Sequence, residues 1–104
     1  MGKIRWTEKA SNNLEDIFEY ISKGSKWYAG RYVRALIGAT KRLERLPLSG
    51  RVVPELEDPG LREVIYGNYR IVYRTSGMDQ DVEVLAVVHG ARDMSRAFRE
   101  GWEL

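Results

Sequence analysis

The chain contains no cysteine, so neither a disulfide nor a thiolate metal site can form. Its single histidine, His89, cannot make a metal centre without a paired ligand set. No apolar run approaches the ~20 residues of a membrane span, and the first ten residues, MGKIRWTEKA, carry no apolar signal core. Glycine is not spaced for a phosphate-binding loop, and no serine sits in a nucleophile elbow. All three prolines fall between positions 47 and 59. These absences leave a small protein, expected to be cytoplasmic and to form one domain over 1–104, without a metal or organic cofactor.

What is present is charge with a bias. Net charge is +2 over 104 residues, and arginine outnumbers lysine twelve to five. Arginine grips phosphates and carboxylates with two parallel hydrogen bonds, so an anionic partner becomes a candidate.

The pattern of apolar residues predicts an α+β fold in the order β-α-α-β-β-β. KIRW (3–6) alternates like a short strand. Thr7 caps a helix whose apolar face is Ala10, Leu14, Ile17, Phe18 and Ile21. Ser25 caps a second helix, which the spacing carries to Leu43 before Pro47 and Gly50 stop it. A three-residue link makes the two helices an antiparallel hairpin. PLSGRVVPELEDPG (47–60) reads as an ordered loop with a short extended piece at 51–53. A turn near Ser76-Gly77 leads to a last strand at 81–89, then a tail that includes Trp102. The expected sheet is small, with three or four mainly antiparallel strands, and the helical hairpin covers one of its faces.

LREVIYGNYRIVYRTSG (61–77) fixes a register. A two-residue turn at Gly67-Asn68 sets Tyr66 opposite Tyr69, Val64 opposite Ile71 and Arg62 opposite Tyr73, all toward the helices. Arg62 is expected at the edge of that face, reaching water. The other face then carries Leu61, Glu63, Ile65, Arg70, Val72 and Arg74. We expect it to be uncovered, with Glu63 diagonal to both arginines in a surface ion cluster. Trp6 and Trp27 are expected where helix meets sheet.

Taken in order, an N-terminal W before an amphipathic helix, RLERLPLSGR, PE, LREV, YRIVY and VVHGARD resemble the RelE/ParE superfamily of toxins from type II toxin–antitoxin modules. The resemblance covers nearly the whole chain and implies a helical hairpin on a small antiparallel sheet. It implies one of two targets. RelE-like members cut messenger RNA on the ribosome, and ParE-like members block DNA gyrase. Arg70 matches the arginine of the RelE-like YR motif, and Arg92 the arginine after the last strand. The lysines of the RelE-like nucleases fall at Leu61 and Glu63, and their tyrosine at Phe98. Phe98 cannot exchange a proton, and Glu63 sets negative charge where a phosphate would approach. The ParE-like reading is therefore favoured, with Arg62, Arg70, His89 and Arg92 as target-binding residues. Under the RNA-cutting alternative the catalytic set is Glu55, Arg70, His89 and Arg92, with Glu55 matching a glutamate base of YoeB-like members. The resemblance also implies a cognate antitoxin, for which Tyr20, Tyr28 and Tyr32 on the helices are the expected contacts.

Overall fold

A computed structural model describes residues 2–76 and 80–99. Strand β1 is Ile4–Trp6, helix α1 Glu8–Ser22, helix α2 Lys26–Ala39, strand β2 Arg51–Val52, β3 Leu61–Tyr66, β4 Tyr69–Ser76, β5 Asp81–His89, and helix α3 Met94–Arg99. The five strands lie in the order β1-β5-β4-β3-β2, with β1 parallel to β5 and every other pair antiparallel. The extended piece at 51–53 thus joins the sheet as its edge strand, giving one strand more than expected. Trp102 and Gly77 lie outside the described residues.

Both helix starts follow the capping residues. Thr7 Oγ1 accepts from the Ala10 N–H and Ser25 Oγ from the Tyr28 N–H, each satisfying a donor the helix leaves free. Helix α2 stops at Ala39, four residues short of the expected end. Thr40 turns its hydroxyl back onto the Ile37 carbonyl at 2.7 Å, and a 3-10 turn over Lys41–Glu44 continues the path. Leu43 is still buried there, which is why its spacing reads as helical.

The predicted hairpin register holds pair for pair, from Tyr66↔Tyr69 to Leu61↔Arg74. Gly67 has φ +57 while Asn68 does not share the left-handed region, the pattern of a II′ turn. The β4–β5 pairing jumps from Val72↔Ala86 to Tyr73↔Val84, leaving Leu85 as a bulge. Helix α1 and its cap satisfy the backbone around it. Thr7 Oγ1 donates to the Leu85 carbonyl at 3.1 Å, and Asn13 Oδ1 accepts from the Val87 N–H at 3.0 Å.

Two cores result, one on each face of the sheet. Ala10, Ile17, Leu36 and Leu43 pack against Val64, Ile71, Tyr73, Val82, Val84 and Val87. On the opposite face Val53, Met94 and Ala97 pack over Leu61, Val72, Leu85, Ala86 and Val88. The face expected to be open is therefore largely covered, by the 53–56 segment and α3. Leu61, Val72 and Val88 are thereby buried, and removing their apolar surface from water favours the cover. Ile65, nearest the turn, remains exposed on that face. Trp27 also departs from expectation. It stands 68% exposed at the start of α2, with the Arg31 guanidinium 5.0 Å from its ring.

Candidate functional site

The second core surrounds a cluster of four charged side chains. Glu63 sits on β3 between Arg51 on β2, its direct cross-strand partner, and Arg70, diagonally across on β4. Its carboxylate accepts from Arg51 Nε at 2.6 Å, Arg70 Nε at 2.7 Å and Arg70 Nη2 at 3.0 Å. Arg70 uses its outer edge on Glu55, donating from Nη1 and Nη2 at 2.7 Å each. One guanidinium thus holds two carboxylates, each by a two-pronged contact. Glu63 is 1% exposed and Arg70 6%, so the centre of the cluster is interior rather than the surface pair expected from the sequence, with Arg51 and Glu55 exposed at its rim. Its two positive and two negative groups compensate, which is what allows such charges to be buried.

Pro54 and Val53 deliver Glu55. Val53 is fully buried and its N–H bonds the Leu61 carbonyl at 3.1 Å, which pins the segment across the end of β3. Helix α3 presses from above, where Ser95 Oγ meets the Glu55 carbonyl at 3.5 Å. The hydrogen bonds from Arg70 hold the Glu55 carboxyl down to about 2, against the opposing effect of burial. Arg70 is raised above its ordinary value, chiefly by the same bonds. A carboxylate this acidic, with both oxygens engaged, is a poor proton acceptor near neutral pH.

The other predicted site residues fall in different places. Arg62 lies half-buried on the helix-side face, as the register requires, with its guanidinium engaged on backbone carbonyls. Nη1 donates to the carbonyls of Leu48 and Gly50 at 3.2 and 2.9 Å, and Nε is buried without a hydrogen-bond partner. Arg62 therefore clips the 46–50 loop and is not grouped with Arg70. His89 ends β5 opposite Tyr69, with the two rings edge to face at 5.6 Å. Its Nδ1 accepts from the Ala91 N–H at 3.1 Å, so in the neutral ring the proton sits on Nε2. Arg92 is exposed one turn further on, its N–H bonded to the His89 carbonyl at 3.0 Å. Arg51, Ile65, Asn68, Arg70 and His89 line an open basin of about 320 Å³ at the hairpin end. Phe98 is half-buried against the second core.

The three helix tyrosines separate as well. Tyr20 and Tyr28 are exposed, whereas Tyr32 is half-buried in an aromatic cluster with Tyr66 and Tyr69 at 5.5 and 6.0 Å. Its hydroxyl lies against Gly67, where any β-carbon would collide with it.

Sequence reasoning missed Arg51 and the depth of Glu63. The signal was available in part: Glu63 shares its strand face with apolar Leu61 and Ile65, with Arg70 and Arg74 at diagonal positions across the hairpin. Among the described residues no group of three or more histidine, aspartate or glutamate side chains is placed to hold a metal ion. No described helix is long and apolar enough to cross a membrane.

This helical hairpin over a five-stranded sheet has relatives among solved structures. Solved structures of the chromosomal ParDE toxin–antitoxin system of P. aeruginosa share it, with TM-score 0.70 and 23% identity over 86% of this chain and 96% of the other. So does the RelBE2 toxin–antitoxin complex of Mycobacterium tuberculosis, with TM-score 0.62 and 24% identity over 85% and 96%. At these identities the likeness establishes the fold. The sequence profile described as the ParE toxin of type II toxin–antitoxin system, parDE, matches residues 4–94. Y4kP of Sinorhizobium fredii, a protein named as a toxin, is 37% identical over 93 residues, spanning 84% of this chain and 86% of its own length. The chain belongs to the ParE family of type II toxin–antitoxin toxins, within the RelE/ParE superfamily.

Proposed function

We propose that this toxin acts on DNA gyrase as a binding protein, holding the enzyme with its DNA cut, and that a cognate antitoxin neutralises it. One observation carries the choice over RNA cutting. The carboxylate that would serve as base, Glu55, is bound edge-on to Arg70 and held at about 2. The aligned phenol is Phe98, which has no proton to give. Cleavage through a 2′-hydroxyl needs a base, an acid and free positive charge at the phosphate. The Arg70 charge is already spent on two carboxylates.

Within this reading His89, Arg92 and Arg51 form the accessible rim that meets the target. Arg70 acts from behind by fixing Glu55 and β3, and Arg62 by fixing the 46–50 loop. The antitoxin covers the aromatic end of the helical hairpin. Tyr20 and Tyr28, with Trp27, offer large exposed rings at low entropic cost, and Tyr32 supports Tyr28 from below at 6.0 Å between rings. The chain works in the cytoplasm as one domain spanning 1–104.

The test is expression without antitoxin. Filamented cells with an induced DNA-damage response, while protein synthesis continues, are the expected result. An immediate stop in translation would move the target to the ribosome and its messenger RNA.

A further inference from the structure

The helical layer separates its charges. Helix α1 bears Glu8, Glu15, Asp16 and Glu19 against one lysine, all exposed. Helix α2 and the 3-10 turn after it carry Lys26, Arg31, Arg34, Lys41 and Arg42, with Arg45 next and Glu44 the one acid. The buried residues Ala29, Leu36, Thr40 and Leu43 mark the inward stripe of this segment. Arg31 and Arg34 fall on the outward side of α2, Lys41 and Arg42 on the 3-10 turn that continues it and Arg45 just beyond, and every one is exposed. None of the five makes a salt bridge among the described residues. Gly38 interrupts the row with open space, so nothing stands between Arg34 and Lys41 to hold a partner away. Trp27 closes one end and pre-positions Arg31 beneath its ring.

We infer that the outward face of α2 and the following turn is a duplex-DNA surface, with Arg31, Arg34, Lys41, Arg42 and Arg45 contacting phosphates. Charge complementarity selects a polyanion. Its form follows from shape. The row runs along α2 and the 3-10 turn after it, a convex edge that fits the major groove of B-form DNA or lies along its backbone. A-form RNA has a major groove too deep and narrow for it. Single strands are held in grooves with repeated aromatic platforms, and this face has one tryptophan at its end. The acids on α1 limit the contact to one side of the layer and so orient the protein on the duplex. The inference deepens the gyrase reading by giving the toxin its own hold on the DNA. It is testable without gyrase, so the two can fail separately.

Five phosphate contacts predict that log affinity falls with log salt at a slope near −4.5, about 500-fold between roughly 50 and 200 mM. The experiment is fluorescence anisotropy of a labelled B-form duplex with the full chain across that range. It compares wild type with R34A/K41A/R42A and with K3Q/R5Q/K9Q, which removes equal charge elsewhere. Circular dichroism confirms that both variants fold. The expected result is a slope near −1.8 and about a 10-fold loss over the same range for the α2 variant, with the control close to wild type. Weaker binding of an RNA duplex is also expected. Equal losses in both variants would overturn the assignment to this face. Competition by poly-glutamate as effective as unlabelled duplex would assign the face to an acidic protein instead.

Discussion

Arg70 Nε and Glu63 Oε1 meet at 2.7 Å beneath the 53–56 segment, and this buried contact closes the sheet face against its surroundings. It also sets the orientation of the guanidinium, whose remaining edge then captures Glu55.

Removing one member of this pair leaves the other with one partner fewer, since Arg70 keeps Glu55 and Glu63 keeps Arg51. Glu63→Ala should destabilise the fold by about 1–3 kcal/mol, and Arg70→Ala by a similar amount, measured by urea denaturation. The double variant should cost less than their sum, since the two side chains share these contacts. Glu55→Ala, at the rim, should cost no more than about 1 kcal/mol.

Acid should act through Glu55. Its carboxyl titrates at about 2 in the fold against an ordinary 4.5. A group with a lowered folded value contributes stability that is present above 4.5 and lost as the pH falls toward 2. Glu55→Gln should therefore flatten the fall in stability across that window while leaving its slope between pH 6 and 8 unchanged (roughly neutral conditions, where the carboxylate is fully ionised).

Gly67 is held by two independent constraints, a φ of +57 and the Tyr32 hydroxyl against its α-carbon. Gly67→Ala should cost about 1–3 kcal/mol in thermal or urea unfolding. Adding Tyr32→Phe should recover only the portion due to the collision, leaving the backbone cost in place.

Tyr73 ties the loop before β2 to the core. Its hydroxyl donates to the Pro47 carbonyl at 2.7 Å and accepts the Gly50 N–H at 3.0 Å. Tyr73→Phe should lose about 1–3 kcal/mol, because both backbone groups stay buried without partners. Burial raises the Tyr73 phenol, so its ionisation, followed by ultraviolet absorbance, should come at higher pH than that of free tyrosine.

Local chemistry made much of this fold legible. Thr7 and Ser25 announced their helices, and the Gly67-Asn68 turn fixed six strand pairs, because a period of two leaves no freedom once a turn is placed. What stayed hidden depends on segments far apart in sequence. Nothing local to Arg70 shows that Glu55 and Met94 will be brought over it, so its face looked open. Trp27 misled for a related reason: it steps out of phase with Ala29, Val33 and Leu36, and its size suggested burial that its position on α2 does not allow. In the candidate site, the arginines were visible as residue types, but which of them would be spent on carboxylates was decided by tertiary packing.

We propose that this toxin poisons gyrase by binding, without nuclease chemistry of its own. The most direct measurement incubates purified gyrase and plasmid with the folded toxin, and separately plasmid or ribosome-bound messenger RNA with toxin alone. The account predicts loss of supercoiling with linear plasmid accumulating only when gyrase is present, and intact RNA on the ribosome. Full gyrase activity in a large excess of toxin, together with cut messenger RNA, would contradict it.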